Sequence, residues 1–384
     1  MRPYRLNVPE EVLVDLKERL SRTRWPENIP DSGWKYGADL DEVRQLCDHW
    51  RTRYDWRAQE ARINKWPQFE VNVDGIDIHF IHVRSSRSNA VPLLLLHGWP
   101  GSIVEFFELI EPLSDPSCDT GAPAFDLVIP SMPGFGFSGK PTTSGWDADR
   151  IAMTFIKLMR EHLAYSRFGI QGGDWGTIVG TRICCALPEA IIGLHINLPF
   201  AYPPENLDNT SPPVAAFNDL MYAETGYMHL QNTKPDALTL AQTDSPAGLA
   251  AWILEKFRAW SDCGGNVFGT FSMDLIITNL MFYWVPNSIA SAARAYFESA
   301  HLSPPLFRHS QVRVPTGVAA FPKEPYLVPR EWLEPHYSIV DWQLMPRGGH
   351  FPAMEVPAAL VEQVRQFFGR VLERGGESKG LDPA

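Results

Sequence analysis

Cysteine is scarce in this chain of 384 residues: there are five, Cys47, Cys118, Cys184, Cys185 and Cys263. An odd count without regular spacing is not a disulfide framework, and no C-x-x-C pair offers a zinc site. Reduced thiols of a cytoplasmic protein fit this usage. Basic charge is also short, with 34 Lys and Arg against 45 Asp and Glu and a formal net charge of −11. Nucleic acid is excluded as a main partner, because phosphate binding needs a basic face. No run of about 18 apolar residues occurs, so no membrane-spanning helix is encoded. The opening MRPYRLNVPEEVLVDLKERL has no apolar stretch of the kind a signal peptide needs. Proline, by contrast, is plentiful at 33, and so is tryptophan at 13. A disordered proline-rich chain lacks aromatics, so the chain folds and its prolines mark fixed connections.

At about 150 residues per unit, the length suggests two or three structural units. Residues 1–70 read as helical. Asn7 and Glu10 resemble a capping box with Pro9 in the first turn. Val12, Leu13, Leu16 and Leu20 recur at helical spacing, and Leu40, Val43, Leu46, Cys47 and Trp50 line one face of a second helix from Asp39. Trp25, Trp34, Trp50, Trp56 and Trp66 are expected to dock this segment elsewhere. From residue 70 the texture changes to a hairpin around Gly75, then to short apolar runs at Pro92–Leu96, Phe125–Ile129, Phe168–Ile170 and Ile191–Ile196, separated by helical patterns. This alternation implies an α/β fold with a mostly parallel sheet. Residues 200–305 break it and read as a helical insertion, entered through Pro203, Pro204, Pro212 and Pro213. Strands resume at 312–318 and 338–344, and a helix at 357–372 closes the chain. The expected division is a wrapping segment 1–70, a core in two parts at 71–199 and 306–384, and a lid at 200–305.

Three loops carry chemistry. Gln171-Gly-Gly-Asp174-Trp175-Gly176 follows a buried strand and precedes a helix, the layout of a nucleophile elbow. An ordinary helix cap at Asp174 is the plainer alternative. His97-Gly-Trp99-Pro-Gly-Ser follows the strongest strand, where the backbone N–H groups of Trp99 and Trp175 would form an oxyanion hole. His97 itself reads as structural. Gly348-Gly-His350-Phe351 lies after the last strand, so His350 fits the order nucleophile, acid, histidine. Glu324 is the first carboxylate after strand 312–318 and would orient the imidazole, with Asp341 and Asp274 as alternatives. A carboxylate nucleophile is already ionised at pH 7, which frees the histidine to activate water in a second step. Its natural electrophiles are epoxides and haloalkanes. An epoxide oxygen needs a proton donor, and the insertion offers Tyr227 and Tyr296, with Tyr222 and Tyr283 nearby.

These residues carry a resemblance. The chain resembles the microsomal-type epoxide hydrolases of the α/β-hydrolase superfamily over nearly its whole length. The matching stretches include Thr23-Arg-Trp-Pro, Tyr54-Asp-Trp-Arg, His97-Gly-Trp-Pro-Gly-Ser, Gly173-Asp-Trp-Gly, Glu224-Thr-Gly-Tyr-Met-His, Ala320-Phe-Pro-Lys-Glu and Gly348-Gly-His-Phe. The resemblance implies an α/β-hydrolase fold with a helical lid and an N-terminal wrapping segment. It implies Asp174 as nucleophile, His350 and Glu324 as the water-activating pair, and Tyr227 and Tyr296 as proton donors. Trp99, Trp175 and Phe351 are expected to line the substrate site. The substrates implied are a small apolar epoxide and water, with no metal or organic cofactor. Mammalian microsomal members carry an N-terminal membrane anchor. Here the wrapping segment begins at once, as in soluble microbial and fungal members, so no integral anchor is expected, and a homodimer is allowed. The alternatives are a haloalkane dehalogenase with the same nucleophile and an inactive binding protein of the same fold.

Overall fold

The computed structural model describes residues 1–115, 121–208, 210–303, 305–306 and 311–377. Cys118 and the end of the polar tail lie outside the described residues.

The strands are β1 (Arg2–Tyr4), β2 (Gln68–Val73), β3 (Ile76–Val83), β4 (Val91–Leu96), β5 (Phe125–Pro130), β6 (Phe168–Gly172), β7 (Ile191–Ile196), β8 (Val312–Ala320) and β9 (Tyr337–Leu344). They form one sheet in the order β1-β2-β3-β5-β4-β6-β7-β8-β9. The first three strands pair antiparallel, and β3 meets β5 antiparallel. All pairings among β4 to β9 are parallel. The β2–β3 hairpin turns at Asp74-Gly75, both with positive φ, which is the backbone a two-residue hairpin turn demands. The parallel strands are greasy on both faces: Leu93 to Leu96 have no exposed surface, and each contributes about 1.5–3 kcal/mol of burial.

The helices are α1 (Glu10–Ser21), α2 (Leu40–Thr52), α3 (Trp56–Ile63), α4 (Phe107–Ser114), α5 (Ala148–Lys157), α6 (Trp175–Ala186), α7 (Pro212–Glu224), α8 (Gly226–Thr233), α9 (Pro235–Asp244), α10 (Pro246–Ala259), α11 (Val267–Thr270), α12 (Met273–Trp284), α13 (Ile289–Ala300), α14 (Arg330–Leu333), α15 (Pro352–Glu355) and α16 (Pro357–Glu377). Helices α7 to α13 all fall between β7 and β8. The N-terminal helices pack on this group: α2 touches α10 and α12, and α1 touches α10. Polar ties accompany the packing, from His49 Nε2 to Asp274 at 2.7 Å and from the Tyr54 hydroxyl to Thr278 at 3.0 Å.

Two expectations for the N-terminus fail. The capping box does not form, because α1 starts without any side-chain cap. The Val8 N–H donates instead to Glu60 Oε1 at 2.6 Å, and the same oxygen accepts from Trp56 Nε1 at 3.1 Å. A buried carboxylate from α3 thus fixes the chain just before α1, without capping the helix. Residues 1–70 are also not wholly helical, since β1 pairs with β2 at the sheet edge.

The sheet order fixes where a site can form. Strand β4 lies between β5 and β6, so the chain leaves it in one direction and later returns on its other side. The crevice beyond the carboxyl ends of β4 and β6 is a topological switch point, where open α/β sheets bind ligands. The loops after these two strands are the histidine-glycine loop and the aspartate elbow.

Candidate active site

Asp174 sits at the apex of the turn between β6 and α6 with φ 50° and ψ −124°, a conformation that costs a non-glycine residue about 1–3 kcal/mol. It is the strained elbow geometry, and the Asp174 side chain caps no helix N–H. Gly176 permits the turn to lie against β4, because a Cβ there would fall 2.0 Å from the Leu96 carbonyl oxygen. Across the switch point, the Trp99 N–H donates to Asp174 Oδ1 at 2.7 Å. Trp175 begins α6, where the first backbone N–H groups have no intrahelical acceptor.

The loop that carries Trp99 is held from both sides. His97 Nδ1 hydrogen-bonds the Gly98 carbonyl at 3.0 Å, and His97 Nε2 accepts from the Met132 N–H at 3.2 Å. Burial lowers the His97 pKa to about 4, so the ring is neutral and serves the backbone. From the inserted helix α12, Asn279 Nδ2 donates to the Pro100 carbonyl at 2.8 Å and the Tyr283 hydroxyl to the Gly101 carbonyl at 2.6 Å. Trp99-Pro100 is a cis peptide.

His350 lies between two carboxylates. Its Nδ1 is 2.8 Å from Glu324 Oε2, and its Nε2 is 3.5 Å from Asp174 Oδ2. Its backbone N–H donates to the Trp260 carbonyl at 2.8 Å, which ties the loop to the end of α10. Glu324 is buried, and its other oxygen accepts from the Tyr326 N–H at 3.1 Å. Burial pushes the His350 pKa down, but the Glu324 and Asp174 charges outweigh it and hold the ring well above its ordinary value. Asp341 and Asp274 are engaged elsewhere, with Arg370 and His49 respectively.

A cavity of about 200 Å³ opens beside Asp174. Trp175, Tyr227, Tyr296 and Tyr326 border it, with Leu198, Phe200 and Met228 among its apolar walls. Tyr227, near the start of α8, stacks on Trp99 at 4.9 Å between ring centroids, and Tyr296 of α13 meets Trp175 edge-on at 4.8 Å. Burial, with further pushes from neighbouring tyrosines and Asp174, raises both phenols well above their ordinary value. The competing tyrosines are placed otherwise: Tyr222 is 93% exposed, and Tyr283 is spent on Gly101. Trp99 and Phe351 are not among the residues bordering this cavity. The Trp99 ring backs Tyr227, and Phe351 stacks on Phe257 at 4.4 Å.

Sequence reasoning missed Tyr326. It borders the cavity and is buried, and its hydroxyl lies within reach of that of Tyr227. Its only signal was its place two residues after Glu324. Trp260 was also missed; it contacts Tyr227, Tyr326 and His350 edge-on at 5.2, 5.9 and 4.9 Å. No group of acidic, histidine or cysteine residues suited to hold a metal occurs among the described residues.

Residues 1–106 match the family described as epoxide hydrolase N terminus, and residues 91–254 match the alpha/beta hydrolase fold. Epoxide hydrolase 1 of Sus scrofa is 36% identical over 404 residues, covering 96% of this chain and 88% of the pig chain. The chain belongs to the epoxide hydrolase family. Solved structures agree with this assignment. The juvenile hormone epoxide hydrolase of the silkworm Bombyx mori superposes with a TM-score of 0.86 at 33% identity, over 97% of this chain and 94% of that one. The Aspergillus niger epoxide hydrolase gives 0.86 at 30% identity, over 96% of each chain. As an epoxide hydrolase, the chain acts on an epoxide and water. No helix among the described residues is long and apolar enough to cross a membrane.

Proposed function

We propose that the chain converts apolar epoxides to vicinal diols through a covalent ester on Asp174. The carrying observation is that the two carboxylate oxygens of Asp174 are differentiated: Oδ1 is held by the Trp99 N–H, while Oδ2 lies near His350. In the first step Oδ2 attacks an epoxide carbon. The carbon–oxygen bond breaks, and the oxygen takes a proton from Tyr227 or Tyr296. The raised pKa of these phenols keeps them protonated until an alkoxide develops, which is when a general acid is needed.

Ester formation removes the negative charge of Asp174, one of the causes that hold His350 protonated. The ring then loses its proton more readily and becomes the base for the second step. His350 Nε2 takes a proton from water, the hydroxyl adds to Cγ of Asp174, and the electron pair moves onto Oδ1. Trp99 and Trp175 N–H groups would stabilise that oxyanion. Collapse breaks the Cγ–Oδ2 bond, and the departing alkoxide takes the proton from His350. The new carboxylic acid of Asp174 releases its proton, which restores the tyrosine. Glu324 keeps the imidazole oriented throughout.

The division into wrap, core and lid belongs to the same reading: residues 200–305 cover the elbow and carry the tyrosines, and residues 1–70 hold them there. The few, irregularly spaced cysteines support a cytoplasmic chain; a homodimer rests on the resemblance alone.

An assay on an apolar aryl epoxide and on a haloalkane of matched shape tests the function. Diol should form from the epoxide and no halide from the haloalkane, and Asp174→Ala should abolish diol formation. Halide release with no diol would assign the site to dehalogenation.

A further inference from the structure

A second, smaller cavity also touches Asp174, and none of the tyrosines border it. His350 borders this cavity and not the larger one. The smaller cavity's volume of about 10 Å³ is about the room that one water molecule needs. The remaining polar walls are Glu105, Gln171 and Asn197. Gln171 Nε2 donates to Asn197 Oδ1 at 2.9 Å, but Gln171 Oε1 is buried without a hydrogen-bond partner. Leaving such an acceptor unsatisfied costs about 1–3 kcal/mol. A bound water needs two to four polar partners, and these walls supply them.

Glu105 has no part in the mechanism above. It stands one turn after Ser102, and its carboxyl is packed so close to Gly101 that a Cβ there would fall 1.5 Å from Oε1. Only a glycine lets it turn back toward the loop that carries Trp99. Burial, opposed by the positive charge of His350, pushes its carboxyl up to about 8. The raised value favours the neutral acid, whose O–H can donate, while the Gly98 and Ser102 N–H groups donate to this carboxyl. Such a group holds a water without competing with His350 for its proton.

We propose that this cavity seats the hydrolytic water, and that Glu105 and Gln171 are positioning residues that aim it at Cγ of the Asp174 ester. The epoxide then occupies one cavity and the water the other, with Asp174 as the wall between them. This inference rests on the ester mechanism proposed above. The water's proton goes to His350 Nε2, its oxygen bonds to Cγ, and no further reactant is required.

Rapid-quench mass measurement of the protein during turnover separates the two half-reactions. Glu105→Leu should form the alkyl-enzyme at the wild-type rate and hydrolyse it about 10²-fold more slowly, the loss expected from misplacing a reactant. The ester becomes the predominant species, and kcat and KM fall together while kcat/KM holds, a split that general loosening of the fold would not produce. Glu105→Gln, which keeps a donor and an acceptor, should recover most of the hydrolysis rate. Gln171→Met should slow the same step from the opposite wall, and it carries the test alone if Glu105→Leu fails to fold. Hydrolysis at the wild-type rate in these variants, or an equal loss in both steps, would overturn the water site. A His350→Gln variant separates this failure from that of the ester reading. If it accumulates no alkyl-enzyme, the ester itself is absent.

Discussion

Trp99 joins the two halves of the chemistry within one residue. Its backbone N–H holds Asp174 Oδ1 at 2.7 Å, and its ring stacks under Tyr227. The proposed nucleophile and one proposed donor are thus referenced to the same residue, while Tyr296 is referenced to Trp175 on the other side of the elbow. Lys256 adds a positive charge 4.9 Å from the Tyr227 ring centroid, a contact that stabilises the phenol's surroundings without supplying a proton acceptor. The two proposed donors are equally buried and would share the task. Tyr227→Phe alone should slow alkylation about 10-fold, and Tyr227→Phe/Tyr296→Phe about 10³-fold, within the range of general-acid contributions. Single-turnover alkylation rates decide this, and a double variant that alkylates like the wild type would remove both tyrosines from the donor role.

At the scale of elements, the site is two loops pressed together at the switch point of the sheet. The tightness is measurable: a Cβ on Gly98 would lie 2.3 Å from the Asp174 Cβ. Gly98→Ala should destabilise the fold by about 1–3 kcal/mol and stop alkylation, because the methyl displaces the nucleophile. Gly226→Ala, at the start of α8 with open space around it, should leave stability unchanged or slightly raised. Urea unfolding of the two variants checks the contrast, and a Gly98→Ala protein as stable and active as the wild type would contradict the packing described. The elbow was readable from sequence because its requirement is local, with glycines on either side of one proud residue. The Asp174–His350–Glu324 order was readable because each follows a recognisable strand. Glu105 and Tyr326 were not, since each matters only through a cavity closed by distant segments.

The whole molecule shows where local signals lose to tertiary ones. Asn7 and Glu10 had the spacing of a capping box, yet α1 starts uncapped and the chain before it is tied by Glu60, 52 residues from Val8. Strand β1, three residues long, exists only because β2 offers an edge, and no periodicity of its own could announce it. The tryptophan-rich segment did declare that it docks. Trp50 and Trp56 are buried, and Trp25 and Trp34 pack against the core under Arg44 and Arg258. The same segment braces α10 and α12, and Asn279 and Tyr283 of α12 in turn hold the loop that carries Trp99. The chemistry proposed for this assembly turns on the covalent step. A single turnover with enzyme in excess, run in H₂¹⁸O, tests it most directly. The label should enter the Asp174 carboxylate, read from the mass of its peptide, and the first diol should carry none from the solvent. A first diol bearing ¹⁸O, with Asp174 unlabelled, would contradict the account.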